Sequence, residues 1–264
     1  MPDISTTPPR TERPSAVITG ASSGIGRGIA LHLAHAGWNI AFTHVGAHGA
    51  AADVAAALRA AGADVLFAEC DAGDKAQVDR FFGEVAAWCG APALLVNNAG
   101  IQTWAPLLDL AEADWDRVIT TNLKGCFLNT QAAARLMRER GGGRIVNIGS
   151  GSNKLAFPHL VDYTASKGGI EQFTKVAAVE LGPFGITVNC VAPGAIELER
   201  TRQEAPGYGD TWAAVTPLGR VGQVEDVAGV VAFFASPAAA FVTGQTIWVD
   251  GGVFTRATWP YAQA

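Results

Sequence analysis

Residues 15–27 read SAVITGASSGIGR. The first residues are apolar and β-prone, the centre is rich in glycine and serine, and apolar residues then recur at helical spacing. This order predicts a strand, a tight turn and a helix. Glycines in such a turn let the backbone approach a diphosphate closely, and the helix N-terminus offers N–H groups and a positive dipole. The stretch therefore predicts the first unit of a nucleotide-binding α/β domain.

The glycines of this loop, Gly20, Gly24 and Gly26, follow the spacing G-x-x-x-G-x-G rather than G-x-G-x-x-G. A glycine-rich loop by itself is a weak signal. Its position between a predicted strand and a predicted helix strengthens the prediction, because a diphosphate site needs both elements.

Strand and helix patterns alternate along the rest of the chain. Further strands are predicted at residues 39–43, 64–68, 93–97, 144–149, 187–192 and 246–250. Helical patterns fall between them, as at residues 50–61 and 75–89. Strands that alternate with helices predict one parallel sheet covered by helices on both faces. Ligands bind such sheets beyond the carboxyl ends of the strands, so polar residues that follow strands are candidate site residues.

Composition and charge argue against several classes of protein. Hydrophobic residues make up 49% of the 264 residues, enough for a substantial core. A net charge of −5 and the lack of any Lys/Arg run argue against a nucleic-acid partner. No apolar run reaches membrane-spanning length, and no motif predicts a metal site. Four cysteines lie far apart without a C-x-x-C motif, and no signal peptide is recognisable, so we expect a reduced, cytoplasmic setting.

We expect one domain over residues 15–252. Residues 1–14 contain four prolines among serines and threonines, which predicts a flexible leader. Residues 196–216, which include PGYG at 206–209, are predicted to form a mobile substrate lid, and this stretch is called the lid segment below. Residues 253–264 are predicted to form a C-terminal tail that either frays or reaches the active site of a neighbouring subunit.

Tyr163 and Lys167 stand four residues apart in the segment DYTASKGG, residues 162–169. Apolar residues at helical spacing follow, so the two side chains are expected on one helix face. An ammonium group beside a phenol favours the phenolate form and helps a tyrosine to exchange protons near neutral pH. The spacing alone also fits an ordinary helix pair, so its meaning depends on the residues around it.

The second strand ends in THVG, residues 43–46, without a carboxylate. An Asp or Glu there would hold the ribose 2′-OH of NAD and repel the 2′-phosphate of NADP. Its absence favours NADP as the cofactor, with NAD as the alternative. His44, His48 and Arg27 are the nearby groups that could hold the phosphate, although His44 could equally be a solvated turn residue.

Polar residues follow the other strands as well. Asp71, after the third strand, could accept a bond from an adenine amine or could begin the next helix. Asn97 and Asn98 stand at the end of the fourth strand, where two amides can tie neighbouring loops together. Asn122 lies in a predicted long helix, where an Asn needs a polar partner or a local distortion. Ser150 follows the fifth strand and begins a loop that leads to the tyrosine.

These motifs together resemble the short-chain dehydrogenase/reductase family. The resemblance rests on residues 19–26 and 97–100, on Asn122, Ser150, Tyr163 and Lys167, and on Pro193 with Gly194, in the family's order and spacing. It extends from about residue 15 to residue 252. It implies a single Rossmann-like α/β domain with a seven-stranded parallel sheet, and a homotetramer. The glucose 1-dehydrogenase and 3-oxoacyl-(acyl carrier protein) reductase branches are the most similar ones.

The resemblance also implies residue roles. Tyr163 would be the general acid/base on the substrate oxygen, and Lys167 would assist it and bond the nicotinamide ribose. Ser150 would hold the substrate oxygen, and Asn122 would position a water that links Lys167 to solvent. The implied cofactor contacts are Gly20, Ser22, Ser23, Gly24, Ile25, Gly26, His44, Asp71, Ala72, Asn98, Ala99, Gly100, Tyr163, Lys167, Pro193, Gly194 and Ile196.

One position departs from the family pattern. The family often has a Thr four residues after the glycine of the Pro-Gly pair, where it bonds the nicotinamide carboxamide. Here that residue is Leu198. Backbone groups or Thr201 would have to replace it.

The predicted substrate lining is polar. It consists of Gln102, Trp104, Asn153, Lys154, His159 and Glu197, together with the segment 200–216. These groups suit a hydroxyl-rich substrate, and the indole could stack on a sugar face. We therefore expect an NAD(P)-dependent dehydrogenase of a small alcohol, sugar or polyol. A 3-oxoacyl thioester or general carbonyl reductase is the alternative, and the intact catalytic set argues against a non-catalytic nucleotide sensor.

Overall fold

The computed structural model describes residues 13–255. Most of the predicted leader, and all but three residues of the predicted tail, lie outside the described residues. Trp259 and Tyr261 of that tail are among the residues outside them.

Seven strands form one parallel sheet in the order β3-β2-β1-β4-β5-β6-β7. They are β1 (Ser15–Ile18), β2 (Asn39–His44), β3 (Val65–Glu69), β4 (Leu94–Asn97), β5 (Gly143–Ile148), β6 (Ile186–Pro193) and β7 (Thr246–Val249). The predicted seven-stranded parallel sheet is confirmed, and the predicted strand bounds are at most one residue from the observed ones. The strand order reverses between β1 and β4, which is where ligands bind in sheets of this topology.

Helices connect the strands. They are α1 (Gly24–His35), α2 (His48–Ala60), α3 (Lys75–Cys89), α4 (Glu112–Ile119), α5 (Gly125–Arg140), α6 (Val161–Leu181), α7 (Glu199–Glu204), α8 (Tyr208–Ala213) and α9 (Val224–Ala235). The helix predicted at 75–89 is confirmed to the residue, whereas the one predicted at 50–61 begins two residues earlier. Short 3₁₀ turns occur at Gly151–Asn153, Gly182–Phe184 and Pro237–Ala239.

The sheet has a separate hydrophobic core on each face. Ala16 and Ile18 of β1 point into the core that α1, α2 and α9 cover, whereas Val17 points into the core under α3, α5 and α6. This alternation follows from the two-residue repeat of a strand. Both faces of β1 are buried, as expected when helices pack on both sides of a parallel sheet. The prediction of helices on both faces is therefore confirmed.

Within residues 13–255, no helix has both the length and the apolar character needed to span a bilayer. In the same residues, no group of three or more His, Cys, Asp or Glu side chains is arranged to hold a metal ion. All four cysteines of the chain are free thiols.

Candidate active site

The glycine-rich loop after β1 is hydrogen-bonded to the loop after β4. Thr19 Oγ1 accepts bonds from the N–H groups of Asn98 and Ala99, each at 3.0 Å. In return, Asn98 Nδ2 donates to the carbonyls of Thr19 at 2.9 Å and Gly20 at 3.0 Å. The prediction that an amide here ties neighbouring loops is confirmed for Asn98. Its side-chain nitrogen holds the predicted cofactor loop in shape.

Close packing explains two of the glycines. Gly20 has a φ of +66°, and a Cβ at this position would lie 3.0 Å from the Ala99 Cα. A Cβ at Gly26 would lie 2.4 Å from Asn98 Nδ2. Side chains at these positions would push the two loops apart, so the loop pairing requires glycine at both.

The N-terminus of α1 is available to an anion. Its N-cap residue, Ser23, makes no side-chain capping bond, and the first turn of the helix carries no acidic residue. The N–H groups of a first helical turn lack partners inside the helix and attract negative charge. These donors, beside a glycine loop at the β1/β4 switch point, fit the diphosphate of a dinucleotide.

Residues predicted to contact the adenosine lie at the ends of β2 and β3. His44 is only 3% exposed and its Nδ1 is 2.6 Å from the Gly46 carbonyl, so the alternative that it is a solvated turn residue is wrong. Asp71 accepts a bond from the Gly73 N–H at 2.9 Å. It does not begin the next helix, because Asp74 is the N-cap of α3. The second carboxylate oxygen of Asp71 accepts no hydrogen bond from the described residues. It is therefore available to an adenine amine.

Tyr163 and Lys167 lie in the N-terminal half of α6, which begins after the carboxyl end of β5. The Lys167 Nζ lies 5.5 Å from the centroid of the Tyr163 ring and donates a 2.7 Å hydrogen bond to the Ile148 carbonyl. The lysine is 4% exposed. A Cβ at Gly100 would lie 3.6 Å from this nitrogen, so the glycine leaves space beside the ammonium group.

Asn122 lies in a π-helical turn, Thr120–Lys124, which separates α4 from α5. Its Oδ1 accepts the Ile101 N–H at 2.8 Å, and its Nδ2 donates to the Ile101 carbonyl and to Ser166 Oγ, both at 2.9 Å. The prediction that this residue needs a partner or a distortion is confirmed, and both occur. Both side-chain atoms of Asn122 are therefore committed to bonds with the protein.

Ser166 is a site residue that the sequence analysis missed. It is fully buried, accepts the bond from Asn122 Nδ2 and donates a 2.7 Å bond to the Tyr163 carbonyl. It therefore joins the π-helical turn to the turn of α6 that carries the tyrosine. Its spacing of three residues from Tyr163, on the same helix face, was the available signal.

Ser150 begins the 3₁₀ turn after β5. Its Oγ accepts the Ser152 N–H at 3.2 Å, while Asn153 Oδ1 accepts the Ser150 N–H at 3.1 Å. The amide oxygen of Asn153 thus stabilises the turn that presents the serine. Lys154 extends away from this turn, and its Nζ lies 5.3 Å above the ring of Trp248 on β7.

The other predicted substrate residues lie on three loops. Gln102 and Trp104 precede a backbone bond from the Ala105 N–H to the His159 carbonyl at 3.0 Å, so these loops are adjacent. Trp104 is 64% exposed. Glu197 lies in the lid segment, where its carboxylate packs against Gly209.

The lid segment contains the two short helices α7 and α8. The Thr201 hydroxyl bonds the N–H of Leu198 at 2.8 Å and its carbonyl at 2.9 Å, so it caps α7. The Leu198 side chain packs toward Gly24 and the core. Backbone groups are therefore the better candidates for a carboxamide partner. Ile196, although predicted as a cofactor contact, has a buried side chain, so only its backbone can serve.

Tyr208 on α8 lies within the segment 200–216 that the sequence analysis assigned to the substrate lining. Burial raises the pKa of its phenol; the Arg200 guanidinium lowers this pKa, and the charge of Tyr163 raises it. Its ring lies 6.3 Å from that of Trp212.

Two thiols lie near the Lys167 ammonium group. Burial raises the pKa of Cys126 to about 12 and that of Cys190 to about 11, although the lysine lowers both. Both thiols are protonated at neutral pH, so neither can exchange a proton readily there.

Comparisons with known proteins agree with this arrangement. Residues 20–254 match the family model described as Enoyl-(Acyl carrier protein) reductase. The chain is 41% identical over 240 residues to the 3-oxoacyl-(acyl-carrier-protein) reductase FabG of Staphylococcus aureus, covering 91% of this chain and 98% of the relative.

Solved structures are similar over nearly the whole chain. A gluconate 5-dehydrogenase from Burkholderia cenocepacia, in complex with NADP and tartrate, is 39% identical with a TM-score of 0.86, over 94% of this chain and 98% of that one. A short-chain dehydrogenase/reductase from Serratia marcescens is 35% identical with a TM-score of 0.87, over 93% and 100% of the two chains.

Proposed function

Because the chain belongs to the short-chain dehydrogenase/reductase family of oxidoreductases, we propose that it transfers a hydride between NADP(H) and an alcohol or carbonyl substrate. The observation that carries the proposal is the buried Lys167 ammonium group beside the Tyr163 ring. A desolvated cation next to a phenol provides the proton carrier that this reaction needs at the substrate oxygen.

The cofactor proposal rests on the uncapped N-terminus of α1 and on the glycine loop, which would hold the diphosphate. When bound, the nicotinamide supplies or accepts the hydride. NADP is our first choice, because β2 ends without a carboxylate and because the B. cenocepacia relative was solved with NADP. NAD is the alternative.

We assign the chemical steps to four side chains. In reduction, Tyr163 donates its proton to the substrate oxygen as hydride adds to the carbonyl carbon; in oxidation it removes the hydroxyl proton. Lys167 holds its ammonium group beside the Tyr163 ring, where it would bond the nicotinamide ribose, and Ser150 donates a hydrogen bond to the substrate oxygen. Asn122 would position a water, and this water would carry protons between Lys167 and solvent.

The substrate proposal is a small hydroxyl-rich compound, such as a sugar acid or polyol. Gln102, His159 and Glu197 support it, because neighbouring loops hold polar side chains where a substrate would approach the phenol. The name of the B. cenocepacia relative adds support. A 3-oxoacyl thioester is the second candidate, favoured by the 41% identity to the S. aureus enzyme.

Replacement of one phenol tests the reaction. We expect Tyr163→Phe to lower kcat at least about 100-fold, the usual contribution of general acid–base catalysis. Phenylalanine keeps the aromatic ring but has no hydroxyl proton to transfer. The Kd of NADPH, measured by fluorescence titration, should stay within about twofold of the wild-type value. Retained turnover in the variant would remove Tyr163 from its role.

A substrate panel separates the candidate functions. Purified enzyme would be assayed with NADP and NAD against gluconate, other sugar acids, aldoses and polyols, and with NADPH against acetoacetyl thioesters and β-keto esters. Oxidation of a sugar acid or polyol supports the first proposal, and reduction of thioesters alone supports the second. Tight NADPH binding without turnover of any compound would favour a nucleotide sensor.

The cellular setting and the assembly state are also proposals. Four free thiols are compatible with the reduced, cytoplasmic setting expected from the sequence. Exposed apolar side chains on α5 and α6 support the expected homotetramer.

A further inference from the structure

Strand β3 supplies a carboxylate to the loop that follows β2. Glu69 is the register partner of His44 at the carboxyl end of these strands. Its Oε1 accepts the Gly46 N–H at 3.1 Å, and its Oε2 lies 3.3 Å from His48 Nε2 at the start of α2. The sequence has no acidic residue at the end of β2, but Glu69 of β3 places a carboxylate beside the loop that follows β2.

This loop lies beside the glycine-rich loop. Thr43, at the end of β2, accepts the Gly20 N–H on its side-chain oxygen at 3.2 Å and the Ala21 N–H on its carbonyl at 3.0 Å. In dinucleotide-binding sheets the adenosine ribose lies at this end of β2, next to the diphosphate loop. The 2′ position of a bound cofactor is therefore expected close to the loop that Glu69 contacts.

A carboxylate at this position distinguishes the two nicotinamide cofactors. It can accept a hydrogen bond from the ribose 2′-OH of NAD(H), whereas it repels the 2′-phosphate of NADP(H). It also occupies the Gly46 N–H, which could otherwise donate to the phosphate. Two basic groups beside it are His48, which faces the carboxylate, and His44, which is buried with its Nδ1 turned to the Gly46 carbonyl.

We propose that Glu69 is the specificity-determining residue of the cofactor site, and that it limits the preference of this protein for NADP(H) over NAD(H). The inference rests on the proposed function. The Glu69 side chain is half exposed, so solvent weakens its repulsion of a phosphate. Its effect is therefore a shift in the ratio of the two affinities, not a loss of binding.

A charge series at this position tests the inference. The Kd values of NADPH and NADH would be measured by fluorescence titration for the wild type, Glu69→Gln and Glu69→Lys. The glutamine keeps an oxygen that can accept the Gly46 N–H, so the loop should be preserved. Glu139→Gln, at an exposed position near the C-terminal end of α5 and close to the amino end of β5, is the control for net charge.

We expect Glu69→Gln to tighten NADPH binding about fivefold, the effect of one like charge removed at close range in water, and to change NADH binding less than twofold. Glu69→Lys should shift the ratio further in the same direction. Glu139→Gln should leave both Kd values unchanged. This pattern would support the inference.

Other results would overturn it. An unchanged ratio in both Glu69 variants would show that the carboxylate does not sense the 2′ substituent. An equal decrease in the Kd values of NADPH and NADH would show a general charge effect instead. Failure of the wild type to bind either NADPH or NADH would overturn the proposed function itself, a result that the ratio measurement distinguishes from the other two.

Discussion

Tyr208 is a partly buried phenol on α8 of the lid segment. Its phenol lies within electrostatic range of Tyr163 and Arg200, and burial raises its pKa, so it stays protonated at neutral pH. A protonated phenol near the substrate oxygen can donate a hydrogen bond without competing for the transferred proton. We infer that it orients the substrate, whereas Tyr163 carries the proton.

At the residue scale, we predict that Tyr208→Phe lowers kcat/KM about fivefold, the cost of about 1 kcal/mol for one lost hydrogen bond. The Kd of NADPH should not change, because the cofactor loops contain no residue of α8. Steady-state kinetics with the best substrate of the panel would measure this. An unchanged kcat/KM would separate Tyr208 from the substrate.

Helices α1 and α9 pack against each other on one face of the sheet, and their contact depends on Gly28. A Cβ at this glycine would lie 2.0 Å from Val224 Cγ1. Alanine is the better helix former by about 1 kcal/mol, but the clash opposes this gain.

We therefore predict that Gly28→Ala destabilises the fold by about 2 kcal/mol, a typical cost of overpacking. Val224→Ala in the same chain should restore most of this loss, because it removes the clashing methyl groups. Gly83→Ala in α3 is the matched control: its Cβ would meet nothing within 4 Å, so this variant should be slightly stabilised. Chemical denaturation of Gly28→Ala, the single variant Val224→Ala, the double variant and Gly83→Ala would measure these differences, and additive effects of Gly28→Ala and Val224→Ala would contradict the predicted clash.

The N-terminus of α9 gives a prediction about pH. Two bonds from the Arg220 guanidinium, at 2.7 and 2.8 Å, hold the pKa of the Asp226 carboxyl below its usual range. The carboxylate also accepts the Gln223 N–H at 2.8 Å. A carboxyl group whose pKa is lower in the folded protein than in the unfolded chain stabilises the fold at pH values above the unfolded pKa. This stabilisation is lost as the pH falls through the folded pKa.

We predict that Asp226→Asn costs about 1 kcal/mol at pH 7, the range for a partly exposed pair with a capping bond. The difference between wild type and variant should shrink as the pH falls below about 4, the pKa of an unfolded Asp, and through the lower pKa of the folded carboxyl. Urea denaturation at several pH values would show this. A difference that stays constant between pH 7 and pH 3 would mean that the charge of Asp226 contributes nothing.

At the scale of the whole molecule, apolar side chains remain exposed on two neighbouring helices. They are Phe127 on α5, Val176 and Val179 on α6, and Phe184 in the 3₁₀ turn that follows α6. Phe127, Val176 and Phe184 line one groove between the two helices, which a monomer would expose to water. Faces of this kind in folded proteins mark interfaces, and a second copy of the chain is the simplest partner.

We predict a homotetramer of about 110 kDa, four times the chain mass of 27.4 kDa, in sedimentation analysis. Val179→Lys, which places a charge on the apolar face, should give smaller species. Ala87→Lys on the exposed side of α3 should leave the assembly unchanged. A wild-type monomer, or a tetramer that tolerates Val179→Lys, would show that this face is not an interface.

Most of the fold was predictable because its pattern is local. The glycine loop, the alternation of strands and helices, and the Tyr163–Lys167 spacing each depend on residues that are close in sequence. Asn122 was also informative, since a buried amide in a helix requires a partner or a distortion. Ser166 was missed because a serine inside a helix is usually unremarkable, and only its bonds to Asn122 and Tyr163 distinguish it.

The sequence by itself determined the parallel α/β sheet and the family, because apolar periodicity and motif spacing are properties of short segments. Only the tertiary structure decided which groups meet across elements: Glu69 at the loop after β2, Asn98 at the glycine-rich loop, and Asn122 at Ser166 of α6. Such contacts join residues that the chain separates, and strand register and helix packing fix them. A pattern read along one segment contains no information about these contacts, so the choice of cofactor and substrate depends on the folded chain.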